Sequence, residues 1–112
     1  RHFEPIVEGM WRGVNVGGTS MLARLEGLDV CGKTGTAENP RGRDHSTFLS
    51  FAPKDNPKIA ISVYVENGGF GASAALPIAS LLEEYYLTDT IRRPALLDYV
   101  RNMTINYPAY DR

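Results

Sequence analysis

The chain has 112 residues, 43% of them hydrophobic and 22% charged, and its 12 Lys and Arg against 13 Asp and Glu leave a net charge of −1. That length is one domain's worth, enough to bury very roughly 65% of the surface an unfolded chain exposes, and the composition is that of an ordinary globular domain. The charge balance argues against a polyanion-binding protein: basic residues cluster only as Arg41, Arg43 and His45 in one loop and Arg92 and Arg93 in another, and both read as solvated surface rather than a nucleic-acid face.

A single cysteine, Cys31, excludes an internal disulfide and a cysteine-rich zinc site, though it does not settle the compartment. No stretch approaches the roughly 20 apolar residues of a membrane span. The N-terminus, "RHFEPIVEGM", lacks a signal-peptide layout and starts without methionine inside what reads as structured sequence, so a portion of a longer protein or a processed product is expected.

From Phe3 the residues Ile6, Val7, Met10, Trp11 and Val14 recur at helical spacing, with Pro5 near the start where its missing N–H costs little. This predicts an amphipathic helix that Gly13, Gly17 and Gly18 end. A short second helix or turn follows in "GTSMLARLEG".

Three strand-like runs come next, over 28–37, 46–53 and 58–67. The third alternates most clearly, with Ile59, Ile61, Val63 and Val65 on one face and Ala60, Ser62, Tyr64 and Glu66 on the other. The link "APKDNPK" is too short for a helical crossover and predicts a hairpin between the second and third runs. After "NGGFG", the spacing of Ile78, Leu81, Leu82 and Tyr85 predicts a helix returning across the sheet, with Pro77 tolerated in its first turn. "PALLDYVR" is a further helical candidate before a polar, Tyr-rich tail. The layout is α+β: a helical lead-in over 1–27, strand and hairpin over 28–67, and C-terminal helices and tail over 72–112.

Residues 27–39, "GLDVCGKTGTAEN", satisfy two motifs at once. Gly27, Gly32, Lys33 and Thr34 fit the G-x-x-x-x-G-K-[ST] of a phosphate loop, whereas Lys33, Thr34 and Gly35 spell the K-T-G of penicillin-recognising acyltransferases. A phosphate loop needs a helix starting at its Lys-Thr, because helix N-terminal amides hold the phosphate. Here the interior reads as strand, and Gly35, Pro40 and Gly42 argue against a helix afterwards. The K-T-G reading asks instead for an edge strand that can pair with a peptide-like ligand and offer it a cation and hydroxyls. Thr34 and Thr36 put two hydroxyls on one side, and simple alternation sends Lys33 to the other.

Together with "VEGMWRGVNVGGT" before the motif and "FAPKDNPKIAISVYVENGG" after it, "GKTGTAEN" resembles the C-terminal part of the transpeptidase domain of class B penicillin-binding proteins, elongation type, the penicillin-binding protein 2 group. The matching blocks span about residues 3–87. The resemblance implies part of a serine β-lactamase/D,D-transpeptidase-like fold with three antiparallel strands flanked by helices. It also implies a reaction in which the serine of an S-x-x-K motif attacks the D-Ala-D-Ala carbonyl of a peptidoglycan stem peptide, and a second stem peptide resolves the acyl-enzyme.

By that resemblance Lys33 supplies positive charge and tunes proton transfer, and the hydroxyls of Thr34 and Thr36 bind the carboxylate of D-Ala or of a β-lactam. The backbone N–H of Thr36 is one oxyanion-hole donor, and Gly35 lets the acyl group lie against the strand. No cofactor or metal is implied. The implied partners are the stem peptide, β-lactams and a lipid-II polymerase of the elongation machinery, with no nucleic acid. The implied location is the outer, periplasmic face of the cytoplasmic membrane, with the membrane anchor outside this chain.

Neither S-x-x-K nor S-x-N occurs in the 112 residues, so these residues are expected to form one wall of an active site without turning over alone. The alternative is a non-catalytic module that holds D-Ala peptides or a partner's strand with the same edge. Met10, Trp11, Tyr85 and Tyr86 are expected in the core, His45 in solvent, and Cys31 as a small packed residue. An open sheet edge and an uncovered apolar face predict self-association of the isolated chain.

Overall fold

The computed structural model describes residues 3–18 and 20–103. Helix α1 (Phe3–Asn15) leads through a 3-10 turn (Met21–Ala23) to strands β1 (Cys31–Ala37), β2 (His45–Ala52) and β3 (Ile59–Val65), then helices α2 (Ala75–Thr88) and α3 (Pro94–Arg101). The strands form one antiparallel sheet in the order β1-β2-β3, and each strand lies where the alternation predicts. β1 starts later than the expected residue 28, because Asp29 takes a positive φ of 49° and turns the chain just before it. The Tyr-rich tail from residue 104 onward lies outside the described residues.

Within α1, Glu4 in the first turn and Arg12 in the last complement the helix dipole, and Glu8 pairs with Arg12 at 3.1 Å one turn on. Its last turn seats it on the sheet. Val14 is fully buried, and Gly13 and Val14 come against Gly32 of β1. Met10 and Trp11, expected in the core, are only half-buried. Trp11 serves as a staple, donating Nε1–H to Asp29 Oδ1 at 3.2 Å with the Lys54 ammonium 5.6 Å from its ring centre.

The core lies on one face of the sheet. β2 alternates strictly, sending Ser46, Phe48, Ser50 and Ala52 inward, all of them buried. β3 contributes Ile61, Val63 and Val65 to the same layer, which packs against Leu76 and Ala79 of α2 with Val14, Leu25 and Val30 closing one end. Phe48 fills the centre, and its ring occupies the space above Gly32, where a Cβ would lie 2.6 Å from Cζ.

α2 crosses the sheet as predicted, with Pro77 in its first turn, but it is rotated from the expected stripe. Leu81 is buried, whereas Leu82, Tyr85 and Tyr86 point outward, Tyr86 64% exposed. The buried residues of the helix are Ala75, Leu76, Pro77, Ala79, Ser80 and Leu81 together with two carboxylates, Glu83 towards the sheet and Glu84 towards Arg93. Glu84 is compensated: Arg93 approaches its Oε1 at 3.0 Å and Arg92 N–H donates to Oε2 at 3.0 Å. Arg93 also donates to the carbonyls of Leu22 and Ser80. It is therefore a half-buried clamp joining α2, α3 and the 3-10 turn, not the solvated residue its sequence context suggests.

Glu83 is fully buried and receives one hydrogen bond, from Ser50 Oγ at 2.7 Å, while its Oε2 has no partner. Burial pushes its pKa up to about 7 against the pull of Ser50 and Arg93. An acid raised in the folded state binds its proton more tightly there than when unfolded. This contribution is therefore complete below the ordinary carboxyl pKa of 4.5 and is lost as pH rises towards 7. Glu83→Gln should flatten the loss of thermal stability between pH 4.5 and 7 and make the variant the more stable protein at pH 8, read by melting temperature across that range.

Candidate active site

Lys33, Thr34, Gly35 and Thr36 all lie on β1, one of the two outer strands of the sheet. Thr34 stands opposite Phe48 and Thr36 opposite Ser46, which puts both threonines on the helix-covered face. Lys33 stands opposite Leu49 and Gly35 opposite Thr47, on the other face. The two hydroxyls share a side, as predicted, and Lys33 is indeed opposite them. Its exposed side chain bends back so that Nζ donates to the Thr34 carbonyl at 2.9 Å. Because Lys33 and Thr34 are mid-strand, no helix N-terminus stands at the Lys-Thr pair, and the phosphate-loop geometry is absent.

On the open face, Lys33, Gly35, Thr47, Leu49 and Ser62 line a shallow hollow of about 300 Å³. A Cβ on Gly35 would meet Thr47 Oγ1, which would have to turn aside. On the covered face a turn over residues 67–74 lies against the strand. Gly71 N–H donates to Thr36 Oγ1 at 3.3 Å. A Cβ on Gly71 would sit 2.6 Å from the carbonyl oxygens of both Gly35 and Thr47 and 2.8 Å from Gly35 N, so only glycine permits this approach.

Sequence reasoning missed what holds that turn. Ser46, fully buried, donates to Phe70 O at 2.8 Å and lies 3.2 Å from Gly71 O, and it accepts the Ala75 N–H at 2.9 Å. It thereby caps α2 from the neighbouring strand, a task that Ala74 at the helix start cannot perform. Asn39 donates to Asn67 Oδ1 at 2.7 Å, and Gly69 N–H to Asp44 O at 2.7 Å, tying the loop after β1 to the same turn. The glycine run in "NGGFG" was the available signal, since such runs mark close backbone approach.

His45 is not simply solvated. Its Nδ1 accepts the Asn67 N–H at 3.1 Å, and its ring stacks on Tyr64 with centroids 5.4 Å apart. Cys31 is buried as expected, and burial pushes its thiol pKa up to about 11. Among the described residues no cluster of His, Cys, Asp or Glu could hold a metal ion, and no helix is long and apolar enough to cross a membrane.

The chain is similar to known proteins in sequence and in fold. The penicillin binding protein transpeptidase domain model matches residues 1–82. Peptidoglycan D,D-transpeptidase MrdA of Haemophilus influenzae is 35% identical over 106 residues, covering 80% of this chain and 16% of the relative. PbpA of Mycolicibacterium smegmatis, also a peptidoglycan D,D-transpeptidase, is 40% identical over 60 residues, covering 50% of this chain and 12% of the relative. Among solved structures, Pseudomonas aeruginosa PBP2 in complex with WCK 5153 superposes with a TM-score of 0.66 at 36% identity, over 78% of this chain and 19% of that one. The imipenem acyl-enzyme complex of Mycobacterium tuberculosis penicillin-binding protein A gives 0.63 at 33%, over 75% and 19%.

The three-stranded sheet with its helices is thus part of the penicillin-binding/β-lactamase fold, the scaffold of penicillin-recognising acyltransferases. The chain belongs to the penicillin-binding protein transpeptidase domain family, and within it to the PBP2-type (MrdA/PbpA) class B proteins of peptidoglycan synthesis. It spans about a sixth of the length of the MrdA relative.

A thiol raised from 9.0 to about 11 carries about a hundredfold fewer thiolates at neutral pH than an ordinary one. Cys31 should therefore resist iodoacetamide in the native protein and be alkylated fully once denatured, as read by intact mass.

Proposed function

We propose that these residues supply the K-T-G wall of a peptidoglycan D,D-transpeptidase. A serine outside the 112 residues attacks the D-Ala-D-Ala carbonyl, its Oγ forming the ester while the C–N bond to the terminal D-Ala breaks and the leaving amine takes up a proton. The amine of a second stem peptide then displaces the serine, forming the cross-link and returning the proton. The observation that carries this reading is the two-sided arming of one outer strand, with Lys33 on one face and Thr34 and Thr36 on the other, in a chain belonging to this family.

Each residue has its part. Residues two apart in a strand send their backbone groups to the same side, so Thr34 and Thr36 share an edge. The reach of Lys33 Nζ to the Thr34 carbonyl supports that edge being the accessible one. A ligand laid along it meets the Thr36 N–H as an oxyanion donor, the threonine hydroxyls as carboxylate donors and the Lys33 ammonium as the neutralising charge. Gly35 leaves room for the acyl group beside the strand. The site works at the outer, periplasmic face of the cytoplasmic membrane, with the anchor outside this chain and a lipid-II polymerase delivering the glycan strands.

The carboxylate-binding assignment predicts that the complete transpeptidase is acylated by a penicillin, and that Lys33→Ala slows acylation by about a hundredfold, the scale of losing one electrostatic transition-state partner. The 112-residue chain alone should keep its unmodified mass under the same conditions; a stable adduct on it would instead place the nucleophile among these residues. The outward Leu82, Tyr85 and Tyr86 of α2 leave an apolar face that the rest of the domain covers in the complete enzyme. In the isolated chain a second copy should cover it, giving a dimer by light scattering at micromolar concentration; a monomer would count against this.

A further inference from the structure

We propose that Ser46 is a positioning residue for the carboxylate-binding hydroxyl of Thr36, acting through the backbone of the 67–74 turn. The proposal rests on the role given to Thr36 above. Ser46 is fully buried and cannot touch a ligand, yet it is the residue directly opposite Thr36 in the β1-β2 register.

A threonine hydroxyl has one proton to give and two lone pairs to receive with. Gly71 N–H engages Thr36 Oγ1 at 3.3 Å. The oxygen so engaged directs its own proton away from the turn. Thr36 is exposed, so that proton faces the side from which a carboxylate arrives. Accepting the amide also polarises the O–H towards donation. Without the Gly71 amide in place, the hydroxyl is free to rotate and the incoming anion must itself orient it.

The amide is held by what grips its turn. Gly69 N–H bonds to Asp44 O at 2.7 Å at the start, and Leu76 N–H bonds to Gly71 O at 3.0 Å where the turn enters α2. Ser46 Oγ joins both parts to the sheet beneath Thr36, through Phe70 O, Gly71 O and Ala75 N. Asn67 anchors only the start of the turn, through Asn39; beside Gly71 no side chain can substitute, because Phe70 is 70% exposed and its neighbours on either side are glycines. The contacts of Gly71 with Gly35 and Thr47 set how closely the turn can approach. Ser46 sets that it does.

The test compares acylation of the complete transpeptidase by a penicillin and by the methyl ester of the same penicillin, which keeps the reactive ring and removes the anion. Ser46→Ala should slow the free acid by about tenfold, the scale of one misdirected charge-assisted hydrogen bond, and leave the ester within about twofold of the parent. Gly71→Ala keeps Ser46 but lifts the amide away, and should show the same acid-selective loss, so a poorly folded Ser46→Ala does not end the test. Equal slowing of acid and ester, or no slowing of either, overturns the proposal if Thr36→Val still slows the acid selectively. If Thr36→Val shows no preference for the acid, the carboxylate role assigned to Thr36 fails first, and the positioning role with it.

Discussion

The inward face of β2 is the constraint on which the rest depends. Four alternating residues, Ser46, Phe48, Ser50 and Ala52, are all buried there, and three of them connect to a different part of the molecule. Phe48 fills the core against Gly32 and so sets the seating of β1. Ser50 receives α2 through Glu83, and Ser46 receives the N-terminus of the same helix together with the turn before it. Apolar residues at 46 and 50 would leave the Ala75 N–H without its cap and the Glu83 carboxyl without its one hydrogen bond. Buried polar groups without partners are costly. The central strand thus fixes both the height of α2 above the sheet and the position of the Gly71 backbone on β1.

That arrangement makes one strand chemically two-faced. Its covered side is approached by backbone from the 67–74 turn, close enough to exclude any side chain at Gly71. Its other side carries Lys33 over a shallow hollow with Leu49 and Ser62. An extended ligand along the edge can be addressed by a flexible cation from one face and by hydroxyls from the other. Strand alternation provides this without any irregularity in β1, whose seven residues pair continuously with β2.

The C-terminal half of α2 mixes its two faces. Beside the apolar Leu76, Ala79 and Leu81, its buried face holds Glu83 and Glu84, and its outward face holds Leu82, Tyr85 and Tyr86. Glu84 is reconciled with burial by Arg93. Glu83 is reconciled by holding its proton, since burial raises its pKa into the neutral range. The aromatic face is the kind of surface that a neighbouring layer covers.

From the sequence by itself came the order of elements, the hairpin, the alternation of β3, the opposite facing of Lys33 and Thr34, and the family. These are local properties: period-2 and period-3.6 patterns, turn residues, and motif blocks in sequence. The rotation of α2 was decided only in three dimensions, because its apolar residues surround the helix and no single stripe outweighs the others. Ser50 with Glu83, and Arg93 with Glu84, chose the buried side through partners 33 and 9 residues away. The same holds for Ser46, a small polar residue in a strand pattern like any other. Its meaning depends on hydrogen-bond partners 24 to 29 residues distant, and no local pattern encodes a partner that only folding brings near.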